Sequence, residues 1–437
     1  MPLTPESGAG RGGRSRARRA LFGTIAAAAL SLSACSYAVV RDGTIDAKAA
    51  TTIERGLEEI RALRFLTRVP MEVKSPEELR VYIRQELDRE YSPTEIRGLE
   101  RIYRKLGLWP DSLDLGQELL KLYDAQIAGF YDPHQAKLFL VPSGVPSTGW
   151  TIALLQLFLR RDLVNEMLLA HELTHALQDQ HFGALALAEN LDDDDRALAI
   201  HAVLEGDATL AGFAYVFGGL AVESLPDLVQ RLGTIPAELA AMLPDTPPLL
   251  RDSLVFQYSA GSAFVARAYS QGGWPGVDAL LAYPPTSTEQ ILWPEKYFGR
   301  PDTPTEVRLG GLDGYENDPA WTEVETNTFG ELTIRILAEG FFDSKRAERT
   351  AEGWDGDRFT AFTRGEELHL YWMSSWDSAE DASEFFAAES EMLAIKYPAA
   401  ERKVEADRVV AGGEDPYWLE RRGDKVLLVW GLPRKKA

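Results

Sequence analysis

The stretch HELTHALQDQHF, residues 171–182, contains three of the six histidines in this 437-residue chain. His171 and His175 flank Glu172 at the spacing His-Glu-x-x-His. The surrounding apolar-rich segment, 162–182, predicts one long helix. On a helix, residues four apart project from one face about one turn apart, which suits two ligands of one tetrahedral zinc ion. Glu172 would then lie beside the metal, where a general base is needed.

The third protein ligand has three candidates in the sequence. His181 lies ten residues after His171, so a continuous helix would place it about 15 Å farther along the axis and on another face. The metzincins have a third histidine at this position, but they require a glycine where this chain has Gln178. His201 and Glu205 are four apart in a second predicted helix, 191–216, so they share a face.

The order of these motifs resembles the gluzincins, the thermolysin-like zinc peptidases. His-Glu-Leu-Thr-His followed by a helix with a ligand glutamate implies Glu205 as third ligand, Zn²⁺ as cofactor and Glu172 as base on a zinc-bound water. Asp179 follows the second histidine by four residues, as in the thermolysin-type HELTHAVTD. One departure is Thr209, which stands where those enzymes have an aspartate.

The residues that support the ligands are therefore not transferred from that family. Asp179 and Asp207 remain candidates, and His201 is expected to line the cleft or to hydrogen-bond a ligand. A zinc peptidase also needs a donor for the oxyanion of its tetrahedral intermediate, and tyrosine or histidine normally supplies it. Four side chains are candidates for this role: Tyr258, Tyr297, His134 and His201.

A closer resemblance is to a group of bacterial lipoproteins and secreted proteins. They share GFYDP, HELTHALQDQHF, EGDAT and PPTSTEQIL-PEKY in this order, and these motifs extend over about residues 128–297 of this chain. In that group a histidine often precedes the proline of the last motif, whereas this chain has Trp293. Gly206, within EGDAT, would allow another backbone to pack closely against the second helix.

The N-terminus resembles a bacterial lipoprotein signal peptide. Five arginines in residues 11–20 precede a short apolar run, 21–34, which ends in Leu-Ser-Ala before Cys35, the single cysteine. The apolar run is too short for a typical membrane span. The resemblance implies removal of residues 1–34 and lipidation of Cys35, with 35–50 as a tether. Ser36 favours the outer membrane if the host has one.

The mature chain would be strongly acidic. Removal of residues 1–34 takes away five arginines and Glu6, so the net charge becomes (46 − 5) − (67 − 1) = −25. Such a surface repels nucleic acid and anionic headgroups, so membrane attachment is expected through the acyl chains at Cys35. A single cysteine also excludes an intrachain disulfide bond.

The remaining pattern predicts an α+β protein with a zincin-like, mostly helical metallopeptidase domain and a small C-terminal α+β module. We expect an N-terminal helical region at 51–127, the zincin-like core at 128–300 and the module at 301–437. Helices are expected at about 76–90 and 93–106, a strand pair within 128–141, and a hairpin at 422–425. The acidic run Asp192–Asp195 is expected to be a solvated loop that favours the start of the next helix.

The sequence thus predicts an exported, lipid-anchored zinc metallopeptidase of the cell envelope that acts on proteins or peptides. Two alternatives remain: a non-catalytic zinc-binding lipoprotein that binds a partner, and a zinc amidase that acts on cell-wall peptides. Glu172 favours an enzyme, since a structural zinc site needs no base beside an open position.

Overall fold

The computed structural model describes residues 38–41, 43–90, 92–126, 129–141, 161–233, 245–413 and 415–431. The expected signal at 1–34 and Cys35 lie outside these ranges. The described chain has a long run of helices between residues 163 and 298 and an antiparallel sheet from residue 322 onward, which agrees with the predicted α+β class.

The first described residues belong to the fold, whereas the sequence had suggested a tether at 35–50. Strand β1 (Val40–Arg41) pairs with β2 (Thr44–Ile45), and Asp46 caps helix α1 (Ala47–Arg61). Val39 is completely buried and packs in one apolar cluster with Leu57 of α1. The tether prediction is therefore wrong from residue 38 onward, because burial of Val39 ties this segment to α1.

Three more helices and a small sheet follow. The elements are β3 (Met71–Val73), α2 (Pro76–Glu90), α3 (Pro93–Leu106), α4 (Leu115–Gln126), β4 (Gly129–Asp132) and β5 (Lys137–Leu140). Ser92 and Glu95 form the capping box that the sequence predicts for α3. The predicted strand pair is the antiparallel pair β4–β5, and β3 joins β5 in parallel. Strand β4 is therefore an edge strand, and it packs against the next long helix.

Helices of different lengths form the centre of the molecule. They are α5 (Leu163–Phe182), α6 (Ala184–Glu189), α7 (Asp194–Phe217), α8 (Leu225–Leu232), α9 (Pro248–Ala282, interrupted by a kink at Gly273), α10 (Thr288–Leu292) and α11 (Glu295–Phe298), with a 3₁₀ turn at Val222–Ser224. Helix α7 packs between α5 and α9. By length and composition α7 could cross a membrane, but 72% of its most apolar window is buried inside the protein.

Two glycines set the close approach of α7 and α9. A Cβ atom on Gly206 of α7 would lie 2.5 Å from the carbonyl oxygen of Gly261 in α9. A Cβ atom on Gly261 would lie 2.0 Å from the carbonyl oxygen of Ala202. The backbones therefore touch at this crossing, as the sequence predicted for Gly206.

The C-terminal region is one antiparallel sheet with helices on it. Its elements are α12 (Asp313–Glu316), β6 (Thr322–Asn327), α13 (Gly330–Glu339), α14 (Ser344–Ala351), β7 (Trp354–Arg364), β8 (Glu367–Trp376), α15 (Ala379–Lys396), β9 (Arg402–Glu405), β10 (Arg408–Ala411), β11 (Tyr417–Arg422) and β12 (Lys425–Trp430). The strand order is β6-β7-β8-β12-β11-β10-β9. The hairpin predicted at 422–425 joins β11 and β12.

This module does not have a separate core. One continuous apolar cluster includes Ile200 of α7 and Phe264 of α9 together with Phe329 and Trp372 of the module. Asp195 is buried at the same junction, where its carboxylate accepts hydrogen bonds from the backbone N–H and the hydroxyl of Thr288. The prediction of a fully solvated acidic run is therefore wrong at Asp195, although Asp193 caps α7 as its position suggests.

Candidate metal centre

Two histidines project from one face of α5. The Nε2 atoms of His171 and His175 are 3.2 Å apart, and the two rings are nearly perpendicular, with centroids 4.9 Å apart. The helix runs without interruption through both residues and ends only at Phe182. The one-turn spacing therefore brings both nitrogen donors to one point, as the pattern predicted.

Glu205 of α7 faces these nitrogens. Its Oε2 atom lies 3.1 Å from Nε2 of His171, and its Oε1 atom lies 3.6 Å from Nε2 of His175. Helix α7 comes this close because Gly212 packs against the Met167 carbonyl of α5. Burial by itself raises the pKa of the Glu205 carboxyl. The charge of His175 and hydrogen bonds from His171 and Tyr258 outweigh burial and hold this pKa at about 2.

The three donor groups fit a tetrahedral zinc ion. Their ligand atoms all lie within 4.8 Å of one another. Bonds of about 2.0–2.1 Å at tetrahedral angles separate neighbouring donors by about 3.3 Å. The Nε2 atom of His171 lies 3.1 Å from Oε2 of Glu205 and 3.2 Å from Nε2 of His175, close to this value, and the other carboxylate oxygen lies 3.6 Å from His175. Two imidazoles and one carboxylate are also the donor set of many catalytic zinc sites, which leave a fourth position for water or substrate.

Glu172 lies next to this cluster and is almost completely buried, with 6% exposure. Burial raises the pKa of its carboxyl to about 7, and the negative charge of Glu205 acts in the same direction. The charge of His175 and a hydrogen bond from the backbone N–H of Tyr131 oppose this shift. A carboxyl group with this pKa can both accept and release a proton near neutral pH.

Edge strand β4 lies directly over Glu172. A Cβ atom on Gly129 would lie 3.4 Å from Cγ of Glu172 and 2.8 Å from a methyl carbon of Leu140. Tyr131 in the same strand provides the N–H group that binds the Glu172 carboxylate. The strand thus holds the carboxylate beside the histidines and limits its motion.

Among the predicted oxyanion donors, Tyr258 is at the cluster. It lies in α9, its ring stacks on His171 with centroids 6.3 Å apart, and its hydroxyl donates to Glu205. Burial raises the pKa of Tyr258 well above its ordinary value, and the charges of Glu205 and Glu172 add to this effect. Its hydroxyl therefore remains protonated and available as a donor.

His201 also lies near the ligands, one turn before Glu205 on α7. Burial lowers the pKa of His201, although the nearby carboxylate of Glu205 opposes the shift. The role expected for His201, to line the cleft or to hydrogen-bond a ligand, stays a prediction.

A buried polar chain leads away from His175. Nδ1 of His175 lies 2.9 Å from Oε1 of Gln178, and Nε2 of Gln178 donates to Leu204 and Asp207. The same oxygen of Asp207 contacts Arg61 of α1 at 3.2 Å. Sequence reasoning named Asp207 but missed Gln178 and Arg61 as parts of the site. The i, i+3 spacing of Gln178 from His175 was a usable signal, whereas nothing in the sequence pointed to Arg61.

Two other residues of the motif face away from the His171–His175–Glu205 cluster. The carboxylate of Asp179 accepts a hydrogen bond of 2.7 Å from the Tyr131 hydroxyl. The structure places Nε2 of His181 2.7 Å from the carbonyl oxygen of Arg64. Asp179 therefore binds β4 to α5, and His181 contacts the segment after α1 on another side of the helix.

The remaining candidates lie elsewhere. The hydroxyl of Tyr297 donates to the carbonyl of Tyr283, and its ring packs on Phe264. His134 is exposed, and its Nε2 atom lies 3.9 Å from the Glu189 carboxylate. The structure brings neither side chain into contact with the ligand cluster. Trp293 donates its indole N–H to Glu331 of the C-terminal module, so it links α10 to α13.

Residues 318–437 match a family described as a domain of unknown function, DUF8575. No curated protein matches the sequence. A crystal structure of a protein named as a candidate hydrolase with a novel fold, from Chloroflexus aurantiacus, is similar with a TM-score of 0.38 and 20% identity. That match covers 63% of this chain and 96% of the other chain.

Proposed function

We propose that this protein is a zinc-dependent metallopeptidase. One observation carries the proposal: His171, His175 and Glu205 converge from two helices beside the buried carboxylate of Glu172. A purely structural zinc site would be closed by four protein ligands and would need no base. The described residues offer three candidate ligands and an adjacent carboxylate, as expected of an open, hydrolytic site.

His171, His175 and Glu205 would hold the ion. Bound zinc would supply a Lewis acid that polarises water and the peptide carbonyl group. Glu172 would accept the proton of the attacking water and deliver it to the leaving amine. Tyr258, whose hydroxyl lies at Glu205, is the favoured donor to the carbonyl oxygen as negative charge develops there.

We propose protein or peptide chains as the substrate and the cell envelope as the location. The lipoprotein-like sequence before Cys35 supports attachment by acyl chains. Without residues 1–34, the 46 basic and 67 acidic residues of the chain become 41 and 66, and the resulting net charge of −25 argues against a nucleic-acid substrate. Any acyl chain would be on Cys35, three residues before the first described residue.

The experiment measures zinc content and peptidase activity together. The purified protein should carry about one zinc per chain by elemental mass spectrometry and cleave unfolded proteins or a mixed peptide library. Glu172→Gln is nearly isosteric and keeps the three ligands, so it should retain zinc. It should lose activity by at least about 10²–10⁴-fold, because an amide cannot accept the proton.

A matched pair of variants tests the ligand set. Glu205→Ala should lose zinc, whereas His181→Ala should retain it, because His181 lies on the same helix but contacts Arg64. Zinc-loaded protein that cleaves nothing across the library would refute the peptidase and favour a partner-binding zinc lipoprotein. Activity unchanged in Glu172→Gln would also refute the mechanism.

A further inference from the structure

The structure assigns to Gln178 the role of a positioning residue that selects the Nδ1–H tautomer of His175. This inference rests on the proposed function and deepens it. The Nδ1–H tautomer leaves the Nε2 lone pair of His175 free to bind the proposed zinc ion. The assignment follows from which groups around Gln178 are able to donate and which only accept.

The orientation of the Gln178 amide is determined by its buried partners. The amide group lies 2.9 Å from the Leu204 carbonyl oxygen and 3.0 Å from a carboxylate oxygen of Asp207. A backbone carbonyl oxygen only accepts hydrogen bonds, so the amide nitrogen must face it. The amide oxygen then faces His175, at 2.9 Å from Nδ1.

The tautomer of His175 follows from this orientation. An amide oxygen accepts and does not donate, so Nδ1 of His175 must carry the hydrogen atom for the contact to be a hydrogen bond. In the neutral ring, Nε2 then has its lone pair exposed. This nitrogen lies 3.2 Å from Nε2 of His171 and 3.6 Å from Glu205. The lone pair therefore points into the cluster before any metal arrives.

Asp207 and Arg61 keep the amide in place. Oδ2 of Asp207 receives Nε2 of Gln178 and lies 3.2 Å from the Arg61 guanidinium, a group that only donates. Gln178 and Arg61 are each 1% exposed, and Asp207 is 0% exposed, so bulk water does not compete for these bonds. Arg61 also stacks over Trp274 at 4.4 Å and contacts Asp278.

The arrangement connects α1 to the metal centre across the sequence. Arg61 and Asp207 are 146 positions apart. The series of hydrogen bonds from Arg61 through Asp207 and Gln178 ends at His175. Ligand histidines in zinc sites commonly donate their second N–H to a carboxylate or a backbone carbonyl. Here a neutral amide takes that position, and the carboxylate is one step farther away.

The first test needs no metal and no substrate. ¹⁵N-labelled histidine chemical shifts of the metal-free full chain at pH 8 should show His175 as the Nδ1–H tautomer, whereas free histidine favours Nε2–H. Observation of the Nε2–H tautomer in the wild-type protein would overturn the inference. Because no activity is measured, this result is independent of whether the protein is a peptidase.

The second test uses two glutamines of the same helix. Gln178→Met keeps the unbranched shape but removes the amide, so the Nδ1–H signal should disappear and zinc affinity should fall about 10–100-fold. Gln180→Met is the matched control, because Gln180 bonds to the backbone at Leu66 and Thr67 and should leave both readouts unchanged. Wild-type zinc affinity in folded Gln178→Met would also overturn the inference.

Discussion

Replacement of Gly261 by alanine should destabilise the protein at the crossing of α7 and α9. The new Cβ atom would lie 2.0 Å from the carbonyl oxygen of Ala202, and real Cβ atoms essentially never approach within 3.0 Å of such an atom. The helices would therefore have to separate by about 1 Å at this point. The three atoms nearest to the new carbon all belong to the backbone of Ala202, so no side-chain rotation relieves the contact.

The expected magnitude combines two opposing effects. Overpacking in a buried contact costs about 1–3 kcal/mol, while alanine in place of glycine inside a helix contributes about 0.5–1 kcal/mol of stability. We expect a net loss of about 1–2 kcal/mol in the free energy of unfolding. Since α9 carries Tyr258 and α7 carries Glu205, the separation should also lengthen their hydrogen bond and reduce activity.

Urea denaturation followed by tryptophan fluorescence measures the change in stability. Gly272→Ala, one residue before the kink of α9 at Gly273, is the control, because nothing lies within 4 Å of its added carbon. This control should be as stable as wild type or more stable by up to about 1 kcal/mol. If Gly261→Ala unfolds at the same urea concentration as Gly272→Ala, the direct backbone contact between the two helices is refuted.

Two further predictions concern pH and anchoring. Burial raises the pKa of Glu331 from 4.5 to about 8. Between pH 4.5 and about pH 8 the folded state therefore holds a proton that the unfolded state has lost. The free energy of unfolding falls as the pH rises through this range. Glu331→Gln should therefore be increasingly more stable than wild type from pH 5 to pH 8, by up to a few kcal/mol at about 1.4 kcal/mol per pKa unit; a constant difference in urea midpoints would contradict this. Cys35→Ala should move the protein from the detergent phase to the aqueous phase and abolish any acyl mass, whereas identical fractionation of variant and wild type would exclude the lipid anchor.

Much of the local structure was predictable from the sequence. Serine, proline and glutamate at the start of α3 determine where that helix begins, and its bounds agree with the prediction at 93–106. The spacing of His171 and His175 determined that they share a face, because the geometry of a helix depends only on nearby residues. The same reasoning excluded His181, which lies on another side of α5.

Tertiary packing decided which side chains meet at the site, which the spacing of residues in the sequence leaves open. His201 and Glu205 share one face of α7, so their spacing alone does not tell which one meets His171. The resemblance to the gluzincins implied Glu205, and the close packing of Gly212 against α5 brings this residue to His171. The chain of contacts from Arg61 to Gln178 joins residues far apart in sequence, and no local pattern encodes such a contact.

The same holds for burial. Val39 and Asp195 occupy stretches that read as a tether and a solvated loop, yet both are buried by segments distant in the chain. The sequence by itself therefore determined the helices and the face on which the two histidines stand. Only the tertiary structure shows how the Glu205 carboxylate, the tautomer-selecting amide and the buried acids meet their partners, because each contact depends on the approach of elements that share no local sequence.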